Sequence, residues 1–289
     1  MNFERIKTRI YLFWRYFTKW FLFKLFMRYY WIEWILPFHV INLAFGVLTY
    51  VYFAQSFQSS SAFYQQYGGD FLSFLILGVM LNSLLSYTLD AYRLATLSLF
   101  RTRLGSGGQQ MGVYDYLKLS GTPLSSHILA EVLDGYLEEL ISLLVYLLVG
   151  LLIGLKIQGG SYTTAILGIL LGLLATTGIG LISASMITII GAWKGVEPIR
   201  WLVGLLNGLV SGVYFPVEVL PKEIQDVSLL LPQTYTLKIV RLALLRNFGI
   251  GELMPEFAVL LSMAFFLFSI GIILYKYSID LLKVKTFTE

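Results

Sequence analysis

The sequence predicts an all-α polytopic membrane protein with six transmembrane helices, an N-terminal interfacial helix and an outer re-entrant helical hairpin between the fifth and sixth spans. Three observations lead to this fold class. Of the 289 residues, 57% are hydrophobic and only 13% are charged, whereas soluble domains carry about 25% charged residues. Six apolar stretches approach the roughly 20 residues that a helix needs to cross a bilayer core. Lysine and arginine residues border these stretches, as cations do beside a bilayer.

The predicted spans cover residues 34–54, 71–92, 136–156, 162–190, 199–215 and 254–276. Each span must be helical where it meets lipid, because backbone groups there have to be hydrogen-bonded internally. The stretches are too long and too continuously apolar for outer-membrane barrel strands, which alternate over about 10 residues. Small residues between Gly168 and Ser185 predict close helix packing by the fourth span.

The first 33 residues predict a helix lying on the cytosolic surface of the membrane. Cations alternate there with Phe, Tyr and Trp, and this combination anchors a helix among lipid headgroups. A seventh span is the alternative, and the number of cations weighs against it. No clean apolar core precedes a small-residue cleavage site, so a cleavable signal is not expected.

The cations also predict the orientation. If both termini are cytosolic, most of the 21 lysine and arginine residues lie on the inner side of the cytoplasmic membrane, as the positive-inside rule requires. The net charge of +4 is then explained by the bilayer, and nucleic-acid binding is not expected. Cysteine is absent and there are two histidines, so no metal site is predicted.

The segment between the fifth and sixth spans, residues 216–253, is punctuated by three prolines: Pro216, Pro221 and Pro232. Each proline disfavours helix at the residue before it. The fifth span should therefore end near Phe215 and be followed by short helices at about 221–230 and 233–247. Non-helical backbone at membrane depth is tolerated only where protein or a cavity covers it. A re-entrant hairpin on the outer side is the expected result.

Eight residues in this region occur at defined intervals: Gly212, Tyr214, Phe215, Pro216, Pro221, Pro232, Tyr235 and Arg241. The pattern resembles the signature of the type-2 family of ATP-binding-cassette (ABC) exporter permeases. The resemblance implies that this segment forms an outer gate and that two copies meet at a dimer axis. It makes Tyr214 and Phe215 candidate plug residues, with ordinary interfacial aromatics as the alternative. Arg241 is expected to bond carbonyl groups or a carboxylate, not substrate.

The cytosolic stretch 93–127 predicts a short helix at about 112–119, bounded by glycine and a Gly-Thr-Pro sequence. In the family that the chain resembles, this loop carries a coupling helix that presses on an ATPase. The residues implied in that contact are Gln110, Gly112, Val113, Tyr114, Asp115, Tyr116, Leu117 and Pro123. The pattern departs from the family at Gln109 and Gln110, where charged residues are usual.

The chain is not expected to be an enzyme or to hold a cofactor. A Ser-Gly-Gly-Gln sequence at 106–109 is similar to the signature of a nucleotide-binding domain, but the phosphate loop G-x-x-x-x-G-K-[ST] is missing. ATP and Mg²⁺ are therefore expected on a separate ABC ATPase, present in two copies. The resemblance also implies a second permease chain, taken as identical.

Ionisable residues near the spans are candidates for a polar pathway. Glu131, Asp134 and Glu138 share one helical face. They either form a stripe for a cationic cargo, or they reach water or pair with lysine or arginine. Asp90 is expected to pair with Arg93 in the same way. The other polar candidates, both on the first span, are His39 and Asn42, where hydrogen bonding between helices is the alternative.

The sequence thus predicts the membrane-spanning permease subunit of an ATP-driven exporter. One alternative is a secondary transporter, a class that often shows internal repeats and broken helices near the bilayer midplane. No repeat relates the two halves, and the clearest helix break lies towards the outer face. The other alternative is a membrane scaffold or receptor subunit without transport. An apolar, aromatic-rich path is compatible with lipids, lipid-linked sugars, hydrophobic drugs or peptides as cargo.

Overall fold

The computed structural model describes residues 4, 6–29, 37, 41, 71–101, 103–104, 111–157, 160–189 and 198–285. Most of the predicted first span, 34–54, lies outside the described residues, as do His39, Asn42, Gln109 and Gln110. The described part is helical apart from turns and one two-residue β ladder in which Arg103 pairs with Gly112 and Leu104 with Met111. The all-α class is therefore confirmed for this part of the chain.

The elements follow one another as α1 (6–29), α2 (Phe71–Arg101), β1 (Arg103–Leu104), β2 (Met111–Gly112), α3 (Val113–Leu119), α4 (Leu124–Ile153), α5 (Tyr162–Ile189), α6 (Pro198–Val210), a 3₁₀ turn (Val217–Val219), α7 (Lys222–Ser228), α8 (Pro232–Arg246) and α9 (Met254–Lys285). Among the described residues, four helices are long and apolar enough to cross a membrane: α2, α4, α5 and α9. They correspond to the predicted second, third, fourth and sixth spans.

The predicted fifth span ends earlier than expected: helix α6 ends at Val210 and not near Phe215. The helix cannot continue because Gly212 has a φ of 89°, outside the helical range, and Pro216 follows four residues later.

The helices that flank the stretch 93–127 extend beyond the predicted spans at both ends. Helix α2 continues to Arg101, and α4 begins at Leu124, twelve residues before the predicted third span. Pro123, with a φ of −62°, precedes the first turn of α4, a position compatible with the fixed proline angle. Glu131, Asp134 and Glu138 lie inside this helix and are paired with cations of α1.

Helix α5 is at the centre of the bundle and contacts α2, α8 and α9. Other helices approach α5 closely where one of the two residues in contact is a glycine, which has no side chain. The small residues of this helix predict such packing. A Cβ atom on Gly271 of α9 would lie 2.6 Å from the carbonyl oxygen of Gly178. Helix α8 is an internal helix as well: twelve of its fifteen residues are buried. The segment between α6 and α9 is therefore packed within the bundle through α8.

Candidate functional site

The turn after α6 begins the first candidate site. Gly212 has a φ of 89°, a left-handed conformation that a side chain makes unfavourable. Val213 is buried within a cluster that contains Leu77 and Leu237, and Tyr214 packs against the same cluster. The chain is thus turned back towards α2 and α8 immediately after α6 ends.

Arg241 of α8 holds this turn. Its Nη1 donates to the Gly212 carbonyl oxygen at 2.6 Å and its Nη2 to the Val213 carbonyl oxygen at 2.8 Å. Its Nε donates to the Phe74 carbonyl oxygen of α2 at 3.1 Å. The residue is 2% exposed. The expectation that Arg241 bonds carbonyl groups is therefore confirmed, and the side chain joins α8, α2 and the end of α6.

Two residues of α2, Phe74 and Gly78, also contact or accommodate the Arg241 side chain. Sequence reasoning missed both of them. The guanidinium carbon of Arg241 lies 3.3 Å from the centre of the Phe74 ring, within the range of a cation–π contact. Gly78 leaves the space that the guanidinium group and the Val213 carbonyl occupy, because a Cβ atom there would collide with both. A glycine inside an apolar span was the available signal for Gly78.

The three prolines shape the rest of the segment as predicted. Pro216 precedes the 3₁₀ turn, Pro221 precedes α7, and Pro232 is the first residue of α8. The two short helices were predicted at 221–230 and 233–247, within two residues of the observed starts. Side chains close the hairpin: the Ser228 hydroxyl donates to the Val210 carbonyl oxygen at 2.7 Å, and the Thr234 hydroxyl donates to the Ser228 carbonyl oxygen at 2.7 Å.

The aromatic residues of the signature differ in exposure. Tyr214 is half-buried, whereas Phe215 is 39% exposed. Tyr235 is also half-buried and lines a cavity of about 180 Å³ with Arg241. A salt bridge of 3.0 Å between Lys238 and Glu256 lies at the same cavity. Phe215 is thus the residue of this set most open to a second molecule.

The short helix α3 is the second candidate site. It was predicted at 112–119 and extends over Val113–Leu119. Val113, Tyr114 and Leu117 are buried in a cluster with residues of α2 and α4, among them Leu99 and Ile128. The helix is therefore fixed to the ends of two long helices by one apolar face.

The opposite face of α3 is open. Its exposed residues are Asp115, Tyr116, Lys118 and Leu119, and Leu119 is 76% exposed. The exposed face thus carries one carboxylate, one cation and two large side chains, Tyr116 and Leu119. Gly112 and Pro123 bound the segment, and Gly112 itself is half-buried.

The acidic face of α4 is the third site. Glu131 accepts hydrogen bonds from Trp20 Nε1 at 2.8 Å and from Lys24 Nζ at 3.1 Å. Arg28 pairs with Asp134 at 2.8 Å and with Glu138 at 3.1 Å. Pairing with lysine and arginine, one of the two predicted arrangements, is therefore observed. These carboxylates fasten α1 to α4.

His127 adds a contact between the same helices that sequence reasoning missed. The residue is buried, with Nδ1 3.1 Å from the Tyr16 hydroxyl and Nε2 2.8 Å from the Ser98 hydroxyl. Burial, and secondly the Glu131 carboxylate, raises the pKa of Tyr16 above its ordinary value, so this hydroxyl stays protonated. The histidine thus bridges α1 and α2 across the first turn of α4.

The predicted pair of Asp90 and Arg93 is present, at 2.9 Å. Arg200 of α6 joins it through hydrogen bonds from Nη2 and Nε to the Asp90 carboxylate at 2.7 and 2.9 Å. Asp90 therefore connects α2 to the start of α6. Within the described ranges, no group of three or more His, Cys, Asp or Glu side chains could hold a metal ion.

Comparison with known proteins gives a partial similarity. No protein-family model matches the chain. Two curated relatives, "Inner membrane transport permease YhhJ" of Escherichia coli (strain K12) and the same protein of Shigella flexneri, are each 30% identical to it over 120 residues. The matched part is 42% of this chain and 31% of each relative. The chain thus matches about a third of the length of these relatives, and the similarity supports a membrane transport permease.

Proposed function

We propose that the chain is the membrane-spanning permease subunit of an ATP-driven exporter of the type-2 ABC family. It acts as a dimer and is coupled to a separate ABC ATPase. The observation that carries this proposal is α3, a seven-residue helix placed between two long apolar helices. One face of this helix is buried against both neighbours, and the other face is open to a partner.

The geometry of α3 allows a force applied by a partner protein to be transmitted to the helix bundle. A partner that presses on Asp115 or Leu119 displaces the buried face formed by Val113, Tyr114 and Leu117. Those three side chains pack against α2 and α4. Because packed interiors move as rigid units, displacement of α3 moves the ends of both helices. ATP binding can change the conformation only through contacts that differ between the two states.

The outer segment supports the other half of the proposal. Arg241 joins the turn after α6 to α2 and α8 through three hydrogen bonds. A movement of α2 driven from α3 therefore reaches the turn that carries Tyr214 and Phe215. Phe215 is exposed enough to meet the same residue of a second copy, which is the arrangement expected of an outer gate.

The relatives support the permease class, because their printed name describes an inner membrane transport permease. On this proposal the chain itself does not hydrolyse ATP; ATP and Mg²⁺ are bound by two copies of the partner ATPase. Both termini are cytosolic, and α1 lies on the inner leaflet. The outward face of α1 suits lipid contact, with six large apolar side chains between 51% and 60% exposed: Ile10, Tyr11, Trp14, Leu22, Phe23 and Phe26.

Co-purification with an ATPase tests the proposal. The tagged chain is co-expressed with each ABC ATPase of the same genome that lacks its own membrane domain, and complexes are isolated in mild detergent. One ATPase should be retained by the parent chain and lost when α3 carries Asp115→Arg and Leu119→Asp. The control is Leu230→Asp, a 73% exposed leucine outside α3, which should retain it. Retention by the α3 variant, or no ATPase on the parent chain, would refute the coupling assignment.

A further inference from the structure

A groove of about 790 Å³ lies where α1, α3, the first turns of α4 and the last turns of α9 meet. This volume is within the range of small-molecule binding sites. Its walls are mainly apolar, formed by side chains such as Phe13, Leu117, Ile128, Leu129 and Ile279. No described residue of the outer segment or of α6 lines the groove.

The charged residues that line the groove are predominantly cationic. Arg9, Lys118 and Lys276 line it, against one carboxylate, Asp280. Arg9 and Lys276 are exposed, and neither forms a salt bridge with any of the residues that the structure describes. The groove therefore combines an apolar floor with positive charge, so it complements a molecule that has an acyl chain and an anionic head.

The neighbouring surface is suited to lipid. On α9, residues beside Lys276 present large apolar side chains, with Ile273 at 67% and Tyr277 at 57% exposure. On α1, Trp14 follows Phe13 and is 57% exposed. Basic pockets between helices at the membrane surface bind anionic headgroups. An acyl chain in this groove can continue along α9 into the surrounding bilayer.

The groove is distinct from the surface proposed for the ATPase. Asp115, Tyr116 and Leu119, the residues of α3 that face outwards, do not line it. Lys118 is the one exposed residue of α3 that lines the groove, while Tyr114, Leu117 and Pro123, which the family resemblance implied in the ATPase contact, are buried or half-buried and face the groove. A ligand in the groove would therefore contact the buried side of α3, through Tyr114 and Leu117, while the outer side remains open.

We infer that this groove is a binding site for an anionic phospholipid, whose phosphate contacts Arg9 and Lys276 and whose acyl chain lies on the apolar floor. The lipid would contact α1, α3 and α9 together. Its presence would stabilise the position of α3 from the membrane side. This inference depends on the membrane location of the chain and requires neither transport nor an ATPase, so it can fail while the proposed function stands.

Native mass spectrometry of the purified, delipidated full-length chain tests the inference. The probes are phosphatidylglycerol, phosphatidylcholine with the same acyl chains, and soluble glycerol phosphate. Phosphatidylglycerol should bind at least tenfold more tightly than phosphatidylcholine. The Arg9→Gln/Lys276→Gln variant should lose about thirtyfold in affinity for phosphatidylglycerol, because each of the two cations contributes about 1 kcal/mol near an anionic lipid surface.

The matched control is Lys7→Gln/Lys222→Gln, which removes two exposed cations that do not line the groove and should change affinity less than twofold. Ser125→Trp is a second variant: it fills the groove from an exposed position, keeps every charge, and should also weaken binding. Equal loss in both double variants, or equal binding of the two lipids, would overturn the inference. Competition by glycerol phosphate would assign a soluble anion, and displacement of lipid by the ATPase would assign a protein-docking groove.

Discussion

Nη1 of Arg241 donates a hydrogen bond of 2.6 Å to the carbonyl oxygen of Gly212. The two residues are 29 positions apart, and this bond fixes the turn that ends α6 to the internal helix α8. The carbonyl groups beyond the last turn of α6 have no helical partner of their own. A guanidinium group with donors in a fixed fork satisfies two successive carbonyls and still reaches α2.

Replacement of Arg241 should destabilise the folded chain strongly. Arg241→Lys keeps the charge but cannot reach three carbonyl groups, and Arg241→Met leaves all three without a donor. Hydrogen bonds to charged groups are worth about 1.5–3 kcal/mol each, so we expect losses of at least about 2 kcal/mol for lysine and more for methionine. The measurement is the thermal unfolding midpoint in detergent. Lys222→Gln, an exposed cation on α7, is the control, and an equal midpoint for all four proteins would contradict the assigned role.

Two glycines close together along the chain should respond in opposite directions to alanine. Gly212→Ala forces a side chain into a left-handed conformation, at a cost of about 1–2 kcal/mol. Gly204 lies in α6 with no atom within 4 Å of an added Cβ, so Gly204→Ala should gain up to about 1 kcal/mol of helix propensity. Chemical denaturation of the two variants in the same detergent checks both signs. If Gly204→Ala destabilised the protein and Gly212→Ala had no effect, the left-handed conformation assigned to Gly212 would be contradicted.

The ion pairs between α1 and α4 should hold α1 in place. Arg28→Gln removes the partner of Asp134 and Glu138, and the Arg28 side chain is only 12% exposed. Hydrogen exchange of residues 6–29 should increase in this variant while exchange in α5 is unchanged. Lys7→Gln removes an exposed cation of the same helix and should have no effect. Unchanged protection of α1 in Arg28→Gln would mean that apolar packing alone positions it.

The extent to which the sequence predicted these features depends on how local their causes are. Proline acts on its own neighbours, so the starts of α7 and α8 were placed within two residues. Helix α4 begins twelve residues before the predicted third span and includes its acidic face. Those charges are tolerated because they are paired with Lys24 and Arg28 of α1. These partners lie more than 100 positions away in the sequence, so no local pattern revealed them. The end of α6 was placed too far along the chain because the turn at Gly212 depends on Arg241.

The candidate sites were likewise predictable only where their causes are local in the sequence. The position of α3 was predicted from its bounding glycine and proline residues, and carbonyl bonding by Arg241 was expected from its context. The identity of the carbonyl groups was not accessible, because Phe74 is 167 positions from Arg241. The bridge of Tyr16, His127 and Ser98 likewise joins three segments, and no local pattern marks it.

The orientation can be tested because the chain contains no cysteine. Leu119→Cys and Leu230→Cys introduce single thiols at positions that are 76% and 73% exposed. If both termini are cytosolic, a membrane-impermeant maleimide should label Leu230→Cys in intact cells and Leu119→Cys only after permeabilisation. Labelling of Leu119→Cys in intact cells would reverse the proposed orientation and remove α3 from contact with a cytosolic ATPase.

The central claim is that an ATPase acting on α3 changes the outer segment, and Phe215→Cys reports on it directly. The single thiol is introduced into the purified complex of the chain with its ATPase, and its rate of reaction with maleimide is measured with and without ATP. The account predicts a rate change of severalfold on ATP addition, and this change should be absent when α3 carries Leu119→Asp. Identical rates for Phe215→Cys with and without ATP, in a complex that hydrolyses ATP, would contradict the account.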